Sequence, residues 1–255
     1  MTASPDLDRF LAEHGQISLF LDFDGVLVEI AETPDAVRVP SELPGQLERL
    51  NRTLAGALAI VSGRSLGEID DLLGTVRVPI AGDHGNQRRR ADGEIVWLNP
   101  GALVPAAELA ARLIAAVGDD DRLLVEEKAS AVALHYRLAP EREGEARAIM
   151  ESAVAGNPAW SLIAGKMVIE ARAKGVDKGK AILSYMQEAP FAGRTPVFFG
   201  DDVTDEDGFA AVQAIGGAGI KVGLGKTGAR FRLSGPAEVP PLLDRIADES
   251  EMNVT

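Results

Sequence analysis

The chain has 255 residues, of which 46% are hydrophobic, with no cysteine and a formal net charge of −13 at pH 7. That length supports a sizeable core in one large or two small domains, and the missing thiols exclude disulfides, thiol catalysis and thiolate metal sites. The acidic balance argues against nucleic acid, whose phosphates demand a basic face, and means that an anionic substrate must be met by local cations.

In chain order, residues 17–21 read as a buried strand that runs into Asp22, Phe23, Asp24 and Gly25. Strand alternation points Asp22 and Asp24 the same way, at the place where a buried strand stops and a turn begins. In an open α/β sheet that carboxyl edge is where ligands bind. Two facing carboxylates repel and are costly to desolvate without a cation between them. The pair therefore suits holding a metal, reacting with an electrophile, or both; a solvated Asp-Gly turn is the plain alternative. Leu43, Leu47 and Leu50 at helical spacing predict a helix over 41–53. Residues 57–61 read as a second buried strand, 66–73 as a short helix and 78–81 as a third strand. Strands alternating with helices imply a parallel sheet with right-handed crossovers. Val61-Ser62-Gly63-Arg64 places a hydroxyl and backbone N–H groups at another strand end, which makes a phosphate cradle. Arg88, Arg89 and Arg90 precede Asp92-Gly93 and read as a solvated turn, with steering of an anionic ligand as the alternative.

Near Asn99-Pro100-Gly101 the pattern changes. Residues 104–117 read as an alanine-rich helix, 122–128 and 131–138 as a hairpin, 141–155 as a helix, and 160–164 with 167–171 as a second hairpin. This α-β-β-α-β-β order suits an antiparallel sheet with helices on one face. It is expected to be a smaller α+β domain over 101–173, inserted into a core of 1–100 and 174–255. Alternation puts Lys166, Val168, Glu170 and Arg172 on one strand face. Such a charged set can bind hydroxyls and neutralise itself when empty; an ordinary exposed hairpin is the alternative.

The core resumes near Lys174. Asp177-Lys178-Gly179-Lys180 supplies a cation, followed by a helix over 179–187 and a strand over 197–199. Then comes Gly200-Asp201-Asp202-Val203-Thr204-Asp205-Glu206. So many carboxylates at a strand end ask for a counter-ion, and oxygen-only sites of this kind suit Mg²⁺. A helix begins around Asp205, and a short one over 242–247 closes the fold after Pro240-Pro241. There are no internal repeats or low-complexity tracts.

The four segments around Asp22, Ser62, Lys178 and Asp201 resemble, in this order, the four motifs of the haloacid dehalogenase superfamily of phosphatases. Ala81-Gly82-Asp83-His84-Gly85, Val125-Glu126-Glu127-Lys128, His135-Tyr136-Arg137, residues 165–172 and residues 200–206 are similar to trehalose-6-phosphate phosphatase. The likeness runs over about 19–220. Val26 stands where the superfamily usually has threonine, a position that shapes the turn after the acid. The resemblance implies a doubly wound parallel-sheet core with a cap inserted between the second and third motifs, and Mg²⁺-dependent removal of phosphate from trehalose 6-phosphate.

It also implies roles. Asp22 is expected as nucleophile and Asp24 as general acid and then base. Ser62 and Lys178 are expected on the phosphoryl group. The Asp22 carboxylate, the Asp24 backbone carbonyl and Asp201 are expected to hold the metal, with Asp202 and Asp205 orienting them. Arg64, His84, Gly85, Lys128, His135, Arg137, Lys166, Glu170 and Arg172 are the substrate-binding candidates. The alternatives are that Arg64 pairs with a core carboxylate and that His84 is an ordinary turn histidine. The competing readings are a phosphatase for sucrose phosphate or a glycosyl-phosphoglycerate and, from another class, a phosphoacceptor signalling module. Such a module needs neither a cap nor an acid two residues after the nucleophile. The expected partner is a small sugar phosphate, with a trehalose-6-phosphate synthase acting in the same pathway. No apolar run approaches the roughly 20 residues of a membrane span. Residues 1–8 lack a basic stretch followed by an apolar one, so the expected place is the cytoplasm.

Overall fold

The computed structural model describes residues 5–31, 36–128, 130–165 and 167–252. Lys166, expected to share a face with Glu170, lies outside the described residues. The chain divides into two units, Met1–Val96 with Asp177–Thr255, and Trp97–Val176. Among the described residues, no helix is long and apolar enough to cross a membrane.

The first unit is α/β. Its elements are α1 (Pro5–Glu13), β1 (Ile17–Leu21), α2 (Leu43–Thr53), β2 (Leu58–Val61), α3 (Leu66–Leu73), β3 (Ile80–Gly82), β4 (Gln87–Arg89) and β5 (Ile95–Trp97). After the second unit come α6 (Lys178–Tyr185), β10 (Thr195–Gly200), α7 (Glu206–Ala214), β11 (Ala218–Val222), β12 (Phe231–Leu233) and α8 (Val239–Met252). One sheet runs β12-β11-β10-β1-β2-β3-β4-β5. Its pairings from β12 to β3 are parallel and β3 meets β4 antiparallel. Every residue of β1, β2 and β11 is buried, as expected of parallel strands covered on both faces. Chain order reverses at the centre, where β10 and β2 flank β1, so the carboxyl ends of these three strands gather the acidic segments and the Ser62 turn.

Local signals set the helix starts that matter to this edge. Ser65 accepts from the Glu68 backbone N–H while Glu68 reaches back to Ser65, which starts α3 after the Ser62 turn. Asp177 accepts from the Lys180 N–H at 2.7 Å, so α6 begins with Lys178. Some elements differ from expectation. Helix α1 buries Leu7, Phe10 and Leu11 in a stretch to which the sequence reading assigned no element. Helix α8 is longer than expected because Pro240 and Pro241 fall in its first turn, where a missing N–H costs little. Arg88 overturns the reading of the arginine run as a solvated turn. It lies in β4, 1% exposed, 3.9 Å over the Tyr185 ring and paired with Glu188.

The second unit is α+β, with α4 (Leu103–Val117), β6 (Leu124–Glu127), β7 (Ala131–His135), α5 (Glu143–Val154), β8 (Trp160–Gly165) and β9 (Val168–Ala173). Its sheet runs β6-β7-β9-β8 and is antiparallel throughout. Ile169 and Ala171 join Leu109, Leu113, Leu134 and Met150 in its core. Alternation then turns Glu170 and Arg172 to the opposite face. The strand expected over 131–138 ends at His135, and Arg137 stands exposed in the following turn. A mostly parallel central sheet and a separate small antiparallel sheet are thus both present, as the sequence implied.

Candidate active site

Asp22 sits one residue past β1, its N–H donating to the Phe199 carbonyl at 2.9 Å. Its carboxylate is buried: Oδ1 accepts from the Phe23 N–H at 2.7 Å and Oδ2 lies 2.8 Å from Lys178 Nζ. The same ammonium lies 2.7 Å from Oδ1 of the fully buried Asp205. The other Asp205 oxygen accepts the N–H groups of Asp201 and Asp202, both at 2.9 Å. Asp202 turns its own carboxylate to the Val203 N–H. Asp22, Asp201 and Asp205 each offer an oxygen within 4.8 Å of the others. Gly25, at φ +77°, makes this possible: a Cβ there would fall 2.2 Å from the Asp201 carboxylate carbon.

Two buried carboxylates, Asp22 and Asp205, thus face one lysine, with the half-buried Asp201 beside them. Burial, reinforced by Asp205, raises the Asp22 carboxyl well above its ordinary range against the pull of Lys178. Burial and Asp205 likewise push Asp201 up to about 7. Burial pulls the Lys178 ammonium down, but Asp205 and Asp22 outweigh it and hold it above the ordinary lysine range. Carboxylates so crowded favour either protons or a second cation. An oxygen-only donor set with surplus negative charge fits a hard divalent ion such as Mg²⁺.

Beside this centre, Asp24 is gripped by Arg64, whose Nε and Nη2 donate to its two oxygens at 2.7 and 2.8 Å. Arg64 therefore pairs with a core carboxylate, the alternative open to it from the sequence. The buried Ser62 hydroxyl accepts the Arg64 N–H at 3.2 Å. The turn after β3 clamps this loop: Asp83 N–H donates to the Arg64 carbonyl at 2.9 Å and His84 N–H to the Ser62 carbonyl at 3.0 Å. Asp83 and His84 both hold positive φ, at 49° and 55°, a strained pair of non-glycine residues at a candidate site. The His84 ring lies against Gly63, where a Cβ would come within 2.6 Å of Cε1. Gly85, at φ +101°, lets the start of α6 approach, since a Cβ there would meet Asp177 O and Ala181 at 2.8 Å.

In the second unit, Lys128 Nζ lies 2.9 Å from Glu170 Oε1, and Arg172 Nε lies 3.9 Å from Glu170 Oε2. His135 Nε2 is 2.8 Å from Glu126 Oε2, and this contact holds the Glu126 carboxyl below its ordinary range. Glu126 and Glu170 both register with Ala133, so the two pairs are neighbours on one sheet face. Lys128, His135, Glu170 and Arg172 are brought together; Arg137 is not among the pairs. Sequence reasoning passed over Glu126 as a site residue, although its two-residue spacing from Lys128 was the available signal. It also passed over Lys221, a lone lysine in the apolar run of β11, which is buried and donates to the Asp201 carbonyl.

A sequence profile described as trehalose-phosphatase matches residues 20–234. A "Probable trehalose-phosphate phosphatase" of Sinorhizobium fredii is 43% identical over 221 residues, covering 86% of this chain and 80% of the relative. The trehalose-6-phosphate phosphatase of Escherichia coli is 41% identical over 248 residues, covering 96% and 90%. A crystal structure described as a trehalose-6-phosphate phosphatase related protein superposes with a TM-score of 0.79 at 29% identity, covering 93% of this chain and 99% of that one. The C-terminal domain of Candida albicans trehalose-6-phosphate phosphatase superposes with a TM-score of 0.82 over 97% of this chain and 98% of that one, a likeness of fold at 23% identity.

Proposed function

Because the chain belongs to the trehalose-phosphatase family, we propose that it hydrolyses trehalose 6-phosphate to trehalose and phosphate, with Mg²⁺ bound and with the phosphoryl group carried on Asp22. The observation that carries this reading is the buried Asp22 carboxylate, 2.8 Å from the Lys178 ammonium and grouped with Asp201 and Asp205.

Phosphomonoesters are among the slowest compounds to hydrolyse unaided, so the site must supply a large stabilisation of developing charge. Asp22 Oδ attacks phosphorus and the bond from phosphorus to the sugar oxygen breaks. Asp24 gives that oxygen its proton. A water then attacks phosphorus, Asp24 takes its proton, and the bond to Asp22 breaks to release phosphate. To serve, Asp24 must turn away from Arg64, which engages both its oxygens here. Ser62 and Lys178 hold the phosphoryl group, and His84, Gly85 and Arg64 shape the loop around it. The Asp22 carboxylate, the Asp24 carbonyl and Asp201 would hold Mg²⁺. Bound there, the ion neutralises charge on the phosphoryl oxygens. Asp205 has its oxygens taken by Lys178 and two backbone N–H groups, and Asp202 caps the next turn, so both suit orienting roles. The polar face of the second unit, with Lys128, His135, Glu170 and Arg172 and with Lys166 and Arg137 nearby in sequence, is assigned to the sugar.

A phosphate-release screen with Mg²⁺ tests the reading. Trehalose 6-phosphate should be turned over in preference to sucrose phosphate and glycosyl-phosphoglycerate, and EDTA should abolish the activity until Mg²⁺ is restored. Preference for another sugar phosphate would refute the substrate, and full activity in EDTA would refute the metal.

A further inference from the structure

Lys221 is a buried cation that the proposed chemistry leaves without a task. It lies in β11, a strand buried along its whole length, and is itself 5% exposed. Its neighbours in the strand, Ile220 and Val222, are the apolar residues a parallel strand calls for. An ammonium at such a position is costly unless negative charge lies close by. The parallel ladder sets Lys221 opposite Gly200, the last residue of β10 before Asp201. From there its Nζ donates to the Asp201 backbone carbonyl.

That contact completes a two-sided hold on one peptide segment. The Asp201 N–H is bonded to Asp205 Oδ2 at 2.9 Å, and the Asp201 C=O is bonded to Lys221. With both backbone groups held, the Cα of Asp201 is fixed in place, and its carboxylate projects over Gly25, where an added Cβ would lie 2.2 Å from the carboxylate carbon. We propose that Lys221 is a positioning residue for Mg²⁺ binding: it fixes Asp201 through its carbonyl and so places the Asp201 carboxylate beside Asp22. The inference rests on the proposed role of Asp201 as a metal ligand.

Calorimetric titration of Mg²⁺ into the full-length protein tests it. Replacing a group that orients a metal ligand typically weakens binding by about 10–100-fold. Lys221→Met should therefore bind Mg²⁺ at least about tenfold more weakly than the wild type. Its circular dichroism and its KM for trehalose 6-phosphate at saturating Mg²⁺ should stay close to wild type. Lys221→Gln, uncharged but still a donor, should fall between the two, and it decides the matter if Lys221→Met does not fold. Wild-type affinity for Mg²⁺ in a folded Lys221→Met, or in Lys221→Gln where that variant decides, overturns the proposal. Unfolding of both variants overturns it too, since Lys221 would then serve the fold. An absence of Mg²⁺ binding by the wild type is a different failure, which removes the metal reading along with the inference.

Discussion

Each unit of the chain sets a lysine against carboxylates, and the two arrangements differ in charge balance. In the first unit Lys178, its side chain 2% exposed, meets Asp22 and Asp205, Asp201 lies close to both, and Lys221 reaches the Asp201 carbonyl: the three anions still outnumber the cations beside them. In the second unit Lys128 and Arg172 both face Glu170, and Glu126 pairs with His135, so the charges there cancel. A buried surplus of anions demands a further cation, because uncompensated charge away from water is costly. A balanced set demands nothing. It can exchange its internal partners for hydroxyls one bond at a time, which suits a neutral polyol. On the proposed reading, the same residue types serve metal and phosphoryl chemistry in one unit and sugar recognition in the other.

The strongest way to break this comparison is Asp22→Asn. An amide is a poor nucleophile, so kcat should fall by about four orders of magnitude or more while the fold persists. Near-normal turnover in a sample checked for deamidation would end the covalent mechanism. Glu170→Ala comes next. Losing a charged hydrogen-bond partner costs about 1.5–3 kcal/mol, so kcat/KM for trehalose 6-phosphate should drop about 10–100-fold, while a small aryl phosphate is hydrolysed almost as before. Equal loss on both substrates would remove the division of labour between the two units. Gly25→Ala should act on the charge surplus itself. The added methyl would displace the Asp201 carboxylate and load a left-handed position, and calorimetry should show Mg²⁺ binding about tenfold weaker. Unchanged affinity would mean that Asp201 does not hold the ion.

A smaller effect concerns pH in the metal-free protein. The Asp201 carboxyl ionises near 7 when folded, against 3.8 for an ordinary aspartate, and Asp22 is shifted in the same direction. Between those values the folded state binds more protons than the unfolded state. Stability from these two groups is therefore full below about pH 4 and is lost as pH rises towards 7. Glu126 is shifted the other way by His135, so its contribution is lost as pH falls. Melting curves in EDTA should show Tm declining from pH 5 to pH 7.5, and a rising Tm would contradict the surplus.

Much of the core site could be read from the sequence because its signals are local. Asp22 and Asp24 stand two apart at a strand end, and Asp201, Asp202 and Asp205 crowd one loop, so alternation and repulsion alone suggest chemistry. What could not be read are partnerships across the sheet. Arg64 holds Asp24 from forty positions away, and nothing near either residue names the other. Arg88 looks solvated in a run of three arginines, yet its partners Tyr185 and Glu188 arrive with α6 and the turn that follows it. Lys221 is conspicuous in an apolar strand, but only the β10–β11 register shows that it faces the acidic loop. In the second unit, period-2 alternation identified the polar face of β9, while the strand end at His135, which leaves Arg137 in a turn, is set by the fold around it.

The most direct test of the surplus of buried anions is thermal unfolding of Asp201→Asn beside the wild type at pH 7.5, in EDTA and then in Mg²⁺. In EDTA the variant should melt at a higher temperature than the wild type, because one of three crowded anions is gone. Mg²⁺ should raise the wild type, since a ligand present at about 100 times its Kd stabilises by about 2.7 kcal/mol, and should leave the variant almost unmoved. A variant that melts below the wild type in EDTA and gains as much from Mg²⁺ would contradict the account.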